Sequence, residues 1–207
     1  FAPLSEPHPA TADVLHTNTI EVLRGPAPAG VPWLAAGNLL VSLREIDTIG
    51  VVDPQTRRFV WAQRGPWDGQ HQPTLLSNGR ILLFDNRPHE RFSRVLEFDP
   101  RAGEIAWLYP SNPKVTFTSP EAGSAQRLPN GNTLVTESDR GRAFEITPLG
   151  EIVWEFRNPH RAGPRGELVA RLFEVVRYPE SFAARSLNPL NPSRSQSGSS
   201  RAKSGPR

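Results

Sequence analysis

The chain contains no cysteine and no methionine. Without cysteine, disulfides, zinc thiolate centres and thiol nucleophiles are excluded, although a missing residue says nothing about compartment. No run of about 18 apolar residues occurs, so no segment reads as a membrane-spanning helix. HExxH metal spacing, a GxSxG elbow and a Walker loop are also missing, so no metal site and no cofactor is expected. The chain begins at Phe1 and reads as a fragment or a processed product.

What is present points to a chain of short strands. Of its 207 residues 37% are hydrophobic, enough for one ordinary core. The 22 prolines and 16 glycines suit many tight turns. The pI of 9.9 is misleading as a sign of nucleic-acid binding. Residues 161–207 carry nine Arg/Lys against three Glu, a net of +6, and the total is +3, which leaves residues 1–160 at −3. A weakly acidic body with a basic tail gives no reason to expect a nucleic-acid partner.

Three stretches repeat. GNLLVSL, DTIGVVDP and RRFVWA (37–62) align with NGRILLFD, SRVLEFDP and GEIAWLY (78–109), and with NGNTLVTE, GRAFEITP and GEIVWEF (130–156). Pro54, Pro100 and Pro148 are 46 and 48 residues apart, and Trp61, Trp107 and Trp154 are 46 and 47 apart. That period fits a four-stranded propeller blade. Each copy has a further strand ahead of its glycine turn: NTIEVL (18–23), QPTLL (72–76) and SAQRL (124–128). The fold class is therefore all-β, a β-propeller of four-stranded antiparallel blades with strands A to D. About three blades are present, in repeats at 16–62, 71–109 and 123–156. Asn78-Gly79 and Asn130-Gly131 are type I′ hairpin signals. The tryptophans are expected to pack between neighbouring blades.

Residues 166–178 could be a short helix or a further strand A, and the strand, LFEVVRYP (172–179), opening a fourth blade is expected, so the blades span 1–178. From 179 to 207 the chain is rich in Ser, Arg and Pro and is expected to stay disordered, because it cannot bury enough apolar surface. Three blades do not close a ring, since propellers have roughly four to eight. An open fragment or a homo-oligomer is expected.

In each blade the segment entering strand A and the B–C loop share one face. His16 and His71 enter strands A of the first two blades. The B–C loops carry Arg44, Arg87 and neighbouring polar residues, and Arg94 begins the next strand. Such a cluster suits an anionic group, because arginine makes paired hydrogen bonds to oxyanions. Each residue also has a plain structural reading. A histidine at a strand start is more often a satisfied structural residue, and arginine in a turn is usually solvated. Arg94 and Arg142 begin equivalent strands and would serve as cross-strand partners. Asn18 would cap its strand or hold His16. In the third blade Gly123 aligns with His71, so no third histidine lines up.

The blocks LHTNTIEVL, WDGQHQPTLLSNGRILLFDN and GSAQRLPNGNTLVTE, with FEITPLGEIVWEF, resemble the arylsulfotransferase (aryl-sulfate sulfotransferase) family over about residues 12–178. The resemblance implies part of a six-bladed propeller, typically exported to the periplasm or extracellular space. It implies transfer of a sulfuryl group from a phenolic sulfate donor to a phenol acceptor through a sulfohistidine. His16 and His71 would be the catalytic histidines, and Asn18 with either Arg87 or Arg94 would bind substrate. Arg44 joins the substrate-binding candidates from its place on the first B–C loop. The competing reading is a non-catalytic propeller that binds a partner, or an inactive piece of the enzyme. A quinoprotein-like propeller is a weaker third.

Overall fold

A computed structural model describes residues 13–112 and 114–182. The chain divides into two compact units, Phe1–Val176 and Arg177–Arg207. The first holds three four-stranded antiparallel sheets in which every strand pairs with its neighbours in sequence. Blade 1 is β1 (Thr17–Val22), β2 (Leu39–Leu43), β3 (Thr48–Asp53) and β4 (Arg58–Arg64). Blade 2 is β5 (His71–Leu75), β6 (Ile81–Asp85), β7 (Arg94–Asp99) and β8 (Glu104–Tyr109). Blade 3 is β9 (Ser124–Arg127), β10 (Thr133–Glu137), β11 (Arg142–Ile146) and β12 (Ile152–Arg157). These meanders are the blades of a β-propeller.

The packing follows from strand alternation. Successive side chains in a strand point to opposite faces. In β6, Ile81 and Leu83 join a cluster with Leu40, Ile49 and Val51 of blade 1. Leu82 and Phe84 point the other way, into a cluster with Val135, Phe144 and Ile146 of blade 3. Blade 2 is thus covered on both faces, which is why ILLFD is a continuous apolar run ending in a buried aspartate. Burying each large side chain contributes about 1.5–3 kcal/mol, so these two clusters are what hold the blades in order. Two of the three repeat tryptophans extend them, while Trp154, on the outer strand of blade 3, is 39% exposed. Trp61 and Trp107 pack against the two clusters, and the Trp107 indole donates to the Pro148 carbonyl across the blade boundary.

Two expectations are corrected. The A–B turns are not type I′, which requires positive φ at both central residues. Only Gly79 and Gly131 have positive φ there, at 81° and 88°. Each turn closes through the glycine N–H onto the carbonyl of Leu76 or Leu128. Residues 171–179 form no strand. A two-stranded ribbon, β13 (Arg161–Ala162) and β14 (Leu168–Val169), precedes them. Backbone groups that a ladder would satisfy bond elsewhere. The Val175 N–H donates to Thr136 Oγ1, and the Leu172 N–H to the Ser138 carbonyl. In the second unit, the rings of Tyr178 and Phe182 stack at 4.3 Å. Of the tail expected to be disordered, residues 179–182 are described and 180–182 form a helical turn; the rest of that expectation lies outside the described residues. Among the described residues no helix is long and apolar enough to cross a membrane.

Gly123 aligns with His71 in sequence, but in the ladder Ser124 holds that place, opposite Thr136 as His71 lies opposite Phe84. Gly123 is instead a site of close packing. A Cβ at this position would lie 2.4 Å from the Phe84 ring, which is fully buried. No side chain fits unless that ring moves. Gly123→Ala is expected to lower stability by about 1–3 kcal/mol, the usual cost of overpacking. Urea unfolding at unchanged slope would measure it, and an unaltered midpoint would contradict the packing argument.

Candidate functional site

The segments entering strands A and the B–C loops meet around an open cleft of about 730 Å³. Its walls include His16, Asn18, Arg44 and His71. Glu121 and Glu174 also line it. Glu174 accepts from the Gln72 amide, and Arg171 pairs with Glu121 and with Asp139.

His71 is the best-anchored of these. Its predecessor Gln70 is fully buried and keyed into blade 1, donating to Ser42 Oγ and to the Thr48 carbonyl, each at 3.0 Å. The Gln70 carbonyl in turn accepts from Asn18 Nδ2 at 2.8 Å and Ser42 Oγ at 3.2 Å. The strand then bulges, with Gln72 at φ 47° and its N–H donating to Thr19 Oγ1. This leaves the His71 ring half-buried on the cleft wall. Its Nδ1 lies 2.8 Å from Asn86 Oδ1 and 3.2 Å from the Gly69 carbonyl. Burial is the largest influence on its titration and holds it below the ordinary histidine value of 6.5. The Asn86 contact opposes that shift, and the nearby Arg44 charge adds to it. Burial thus favours the uncharged imidazole.

His16 differs. Its side chain is 46% exposed and faces Glu45 at 3.8 Å. The ladder also shows that the two histidines are not equivalent. Thr19 pairs with Ser42 and Ser124 with Thr136, the positions where His71 pairs with Phe84. Separate irregularities, between Thr17 and Thr19 in β1 and between His71 and Thr74 in β5, shift the two strand starts relative to one another. Both rings still reach the same cleft.

Asn18 and Arg44 line the cleft as well. Arg44 ion-pairs with Glu45. Its Nε and Asn18 Oδ1 are buried without a hydrogen-bond partner. Unpartnered polar atoms beside a cleft suit a polar ligand, because leaving them unpaired is costly.

Arg87 and Arg94 are not in this cleft. Arg94 donates to Asp85 Oδ2 through Nε at 2.8 Å and also through Nη2, and to the Pro66 carbonyl at 3.1 Å. Arg87 bonds Glu90 and lies over the Phe92 ring. Arg94 opposes Asp85 in the ladder as Arg142 opposes Glu137, so the cross-strand reading of this pair of arginines is the one observed.

Gln70 escaped sequence reasoning as an individual, whereas Asn86 is one of the polar B–C loop residues expected on this face. Gln70 sits in the GQH block and Asn86 ends the ILLFDN block, so both lie in the more specific blocks of the chain. Their partners, in another blade or on a distant loop, are invisible in sequence.

Among solved structures the chain is similar to a protein of unknown function from Bacteroides caccae, at 19% identity and a TM-score of 0.45, covering 70% of this chain and 47% of that one. It is also similar to virginiamycin B lyase from Staphylococcus aureus, at 18% identity and a TM-score of 0.45, covering 72% and 43%. A streptogramin B lyase matches at 16% identity and a TM-score of 0.44, covering 72% and 48%. The chain thus spans less than half the length of these structures. No curated protein matches it. The family model described as Arylsulfotransferase (ASST) matches residues 4–159, well over half of the sequence, and the chain belongs to the arylsulfotransferase family.

Proposed function

We propose that this chain carries sulfuryl-transfer chemistry, moving a sulfuryl group from a phenolic sulfate ester to a phenol through a sulfohistidine at His71. The observation that carries this reading is the anchoring of the half-buried His71, through Asn86 and the Gly69 carbonyl, on the wall of a cleft shared with Arg44. A neutral imidazole is a nucleophile at neutral pH, and covalent catalysis divides a difficult transfer into two easier steps. In the first step a ring nitrogen lone pair forms a bond to sulfur. The S–O bond to the aryl group breaks, and the phenolate leaves with the electron pair. In the second step the acceptor phenol oxygen bonds to sulfur and the S–N bond breaks. Its proton passes to water or to the departed phenolate, and His71 regains its lone pair. Arg44, Asn18 and the exposed His16 are the polar groups disposed to hold the sulfuryl oxygens and the phenol. A fixed cation beside the developing charge stabilises the transition state.

Incubation with 4-nitrophenyl sulfate and a phenol acceptor tests the reading. Nitrophenol release is expected, together with a sulfated His71 peptide when the acceptor is omitted. Neither product would leave the non-catalytic binding module as the better description. The pH dependence is a second test. Protonation blocks attack, so the rate is lost as pH falls through the His71 pKa, which burial holds below 6.5. The acid limb of the rate profile is therefore expected below pH 6.5 with a plateau above it. A midpoint at or above the ordinary histidine value would contradict this assignment.

A further inference from the structure

We infer that Asn86 is a positioning residue that locks His71 in its Nδ1–H tautomer and so makes Nε2 the atom that takes the sulfuryl group. The inference rests on the reading of His71 as the sulfuryl acceptor and specifies which ring atom reacts.

Hydrogen-bond bookkeeping carries it. Asn86 is 1% exposed, so its amide is limited to protein partners. One end of that amide lies 2.6 Å from the Ser119 carbonyl and 3.0 Å from the Ala122 carbonyl. Carbonyl oxygens only accept, so that end is the NH₂ group, and Oδ1 must be the end that faces His71. The Asn86 main chain is also held, because Ser93 Oγ donates to its carbonyl at 2.8 Å. The amide cannot turn over without setting an oxygen against both carbonyls and leaving the buried Ser119 carbonyl without this donor, a cost of about 1–3 kcal/mol. The imidazole therefore meets two acceptors at Nδ1, the Asn86 amide oxygen and the Gly69 carbonyl. A neutral ring carries one proton, and two acceptors at Nδ1 draw it there. Nε2 is left with its lone pair.

The same pair of acceptors serves the reaction. When Nε2 bonds sulfur and the phenolate departs, the ring becomes a cationic N-sulfonated imidazole with its proton still on Nδ1. The Asn86 and Gly69 oxygens accept that more acidic N–H without moving, which is electrostatic stabilisation in place before reaction. Asn86 touches neither sulfur nor phenol and acts only through the ring.

Nitrogen-15 NMR of the histidine side chains at pH 8 tests this, because protonated and bare ring nitrogens resonate apart. In the unmodified chain, His71 is expected to carry its proton on Nδ1, with Nε2 bare. A proton on Nε2 instead overturns the inference, and this arm needs no variant to fold. In Asn86→Leu the proton is expected to shift toward Nε2, and nitrophenol release is expected to fall at least about tenfold, the usual scale for losing a residue that orients a reacting histidine. Asn86→Asp keeps an oxygen facing Nδ1 and is expected to restore the Nδ1–H tautomer. A leucine variant with the original tautomer and rate overturns the inference. The Nδ1–H tautomer in a chain whose His71 is never sulfated sinks the sulfuryl-acceptor reading, and with it the reactive role of Nε2, while leaving the clamp itself intact.

Discussion

Replacing His71 by asparagine is expected to reduce nitrophenol release from 4-nitrophenyl sulfate by roughly 10³-fold or more, the scale seen when a covalent nucleophile is removed. The effect should fall on kcat, because the variant has no group to accept sulfur, while the donor still meets Arg44 and Asn18. The fold should survive. Strand β5 is held by Gln70 and by the Glu21 and Thr19 contacts to the Leu75 and Gln72 backbone, none of which needs the imidazole. The counterpart His16→Asn should cost far less, about tenfold or below, since that ring is half exposed and only loosely paired with Glu45. Initial rates for both variants, with thermal melts to check folding, separate the two histidines. Equal losses in both would place them in one reacting unit, and an active His71→Asn enzyme would remove His71 from the chemistry.

The second large effect is on stability. Asp85 is fully buried and its carboxylate accepts from the Asp68 N–H at 2.9 Å and from Arg94. Burial raises the Asp85 pKa, and Arg94 and the Asp68 N–H pull it back. Arg94→Leu leaves that carboxylate buried with one backbone donor and a distant Arg87 at 3.9 Å. Stripping one partner from a buried pair costs about 3–5 kcal/mol. The sign of the pH dependence follows. With its cation gone, the folded-state pKa of Asp85 rises further above the unfolded value, so folding favours the neutral acid. The deficit is then smallest at low pH and grows as pH rises through the folded pKa. Asp85→Asn in the Arg94→Leu background should recover part of the loss, because the amide needs no counter-charge. Urea unfolding of the single and double variants at two pH values measures all of this. Because Arg94 lies outside the cleft, the KM for the aryl sulfate should not change at a temperature where the variant is folded. A raised KM with unchanged stability would return Arg94 to the substrate-binding role that the family resemblance implies.

Much of this architecture is legible in the residues alone. The 46- to 48-residue spacing of the prolines marks three units, and alternation within each marks four strands. All twelve blade strands lie close to where that pattern sets them. The convergence of His16, Asn18, Arg44 and His71 on one face also follows from the order of the strands, because a meander fixes which loops share an end. The expected strand at 172–179 had the right composition, yet a strand forms only with a partner beside it. Here its backbone bonds to Thr136 and Ser138 instead.

Sequence by itself determined the repeat, where the turns fall and the apolar faces, because each depends on residues within a few positions of one another. Only the tertiary structure decided how the site is built. The strand irregularities near Asn18 and Gln72 separate two histidines that look equivalent in an alignment. Asp85 holds Arg94 away from this cleft, and Asn86 meets His71 from 15 residues away while gripping a loop 33 residues further on. These outcomes depend on which buried donor finds which buried acceptor. Such a match is set by the packing of one blade on the next and leaves no periodic trace in the chain.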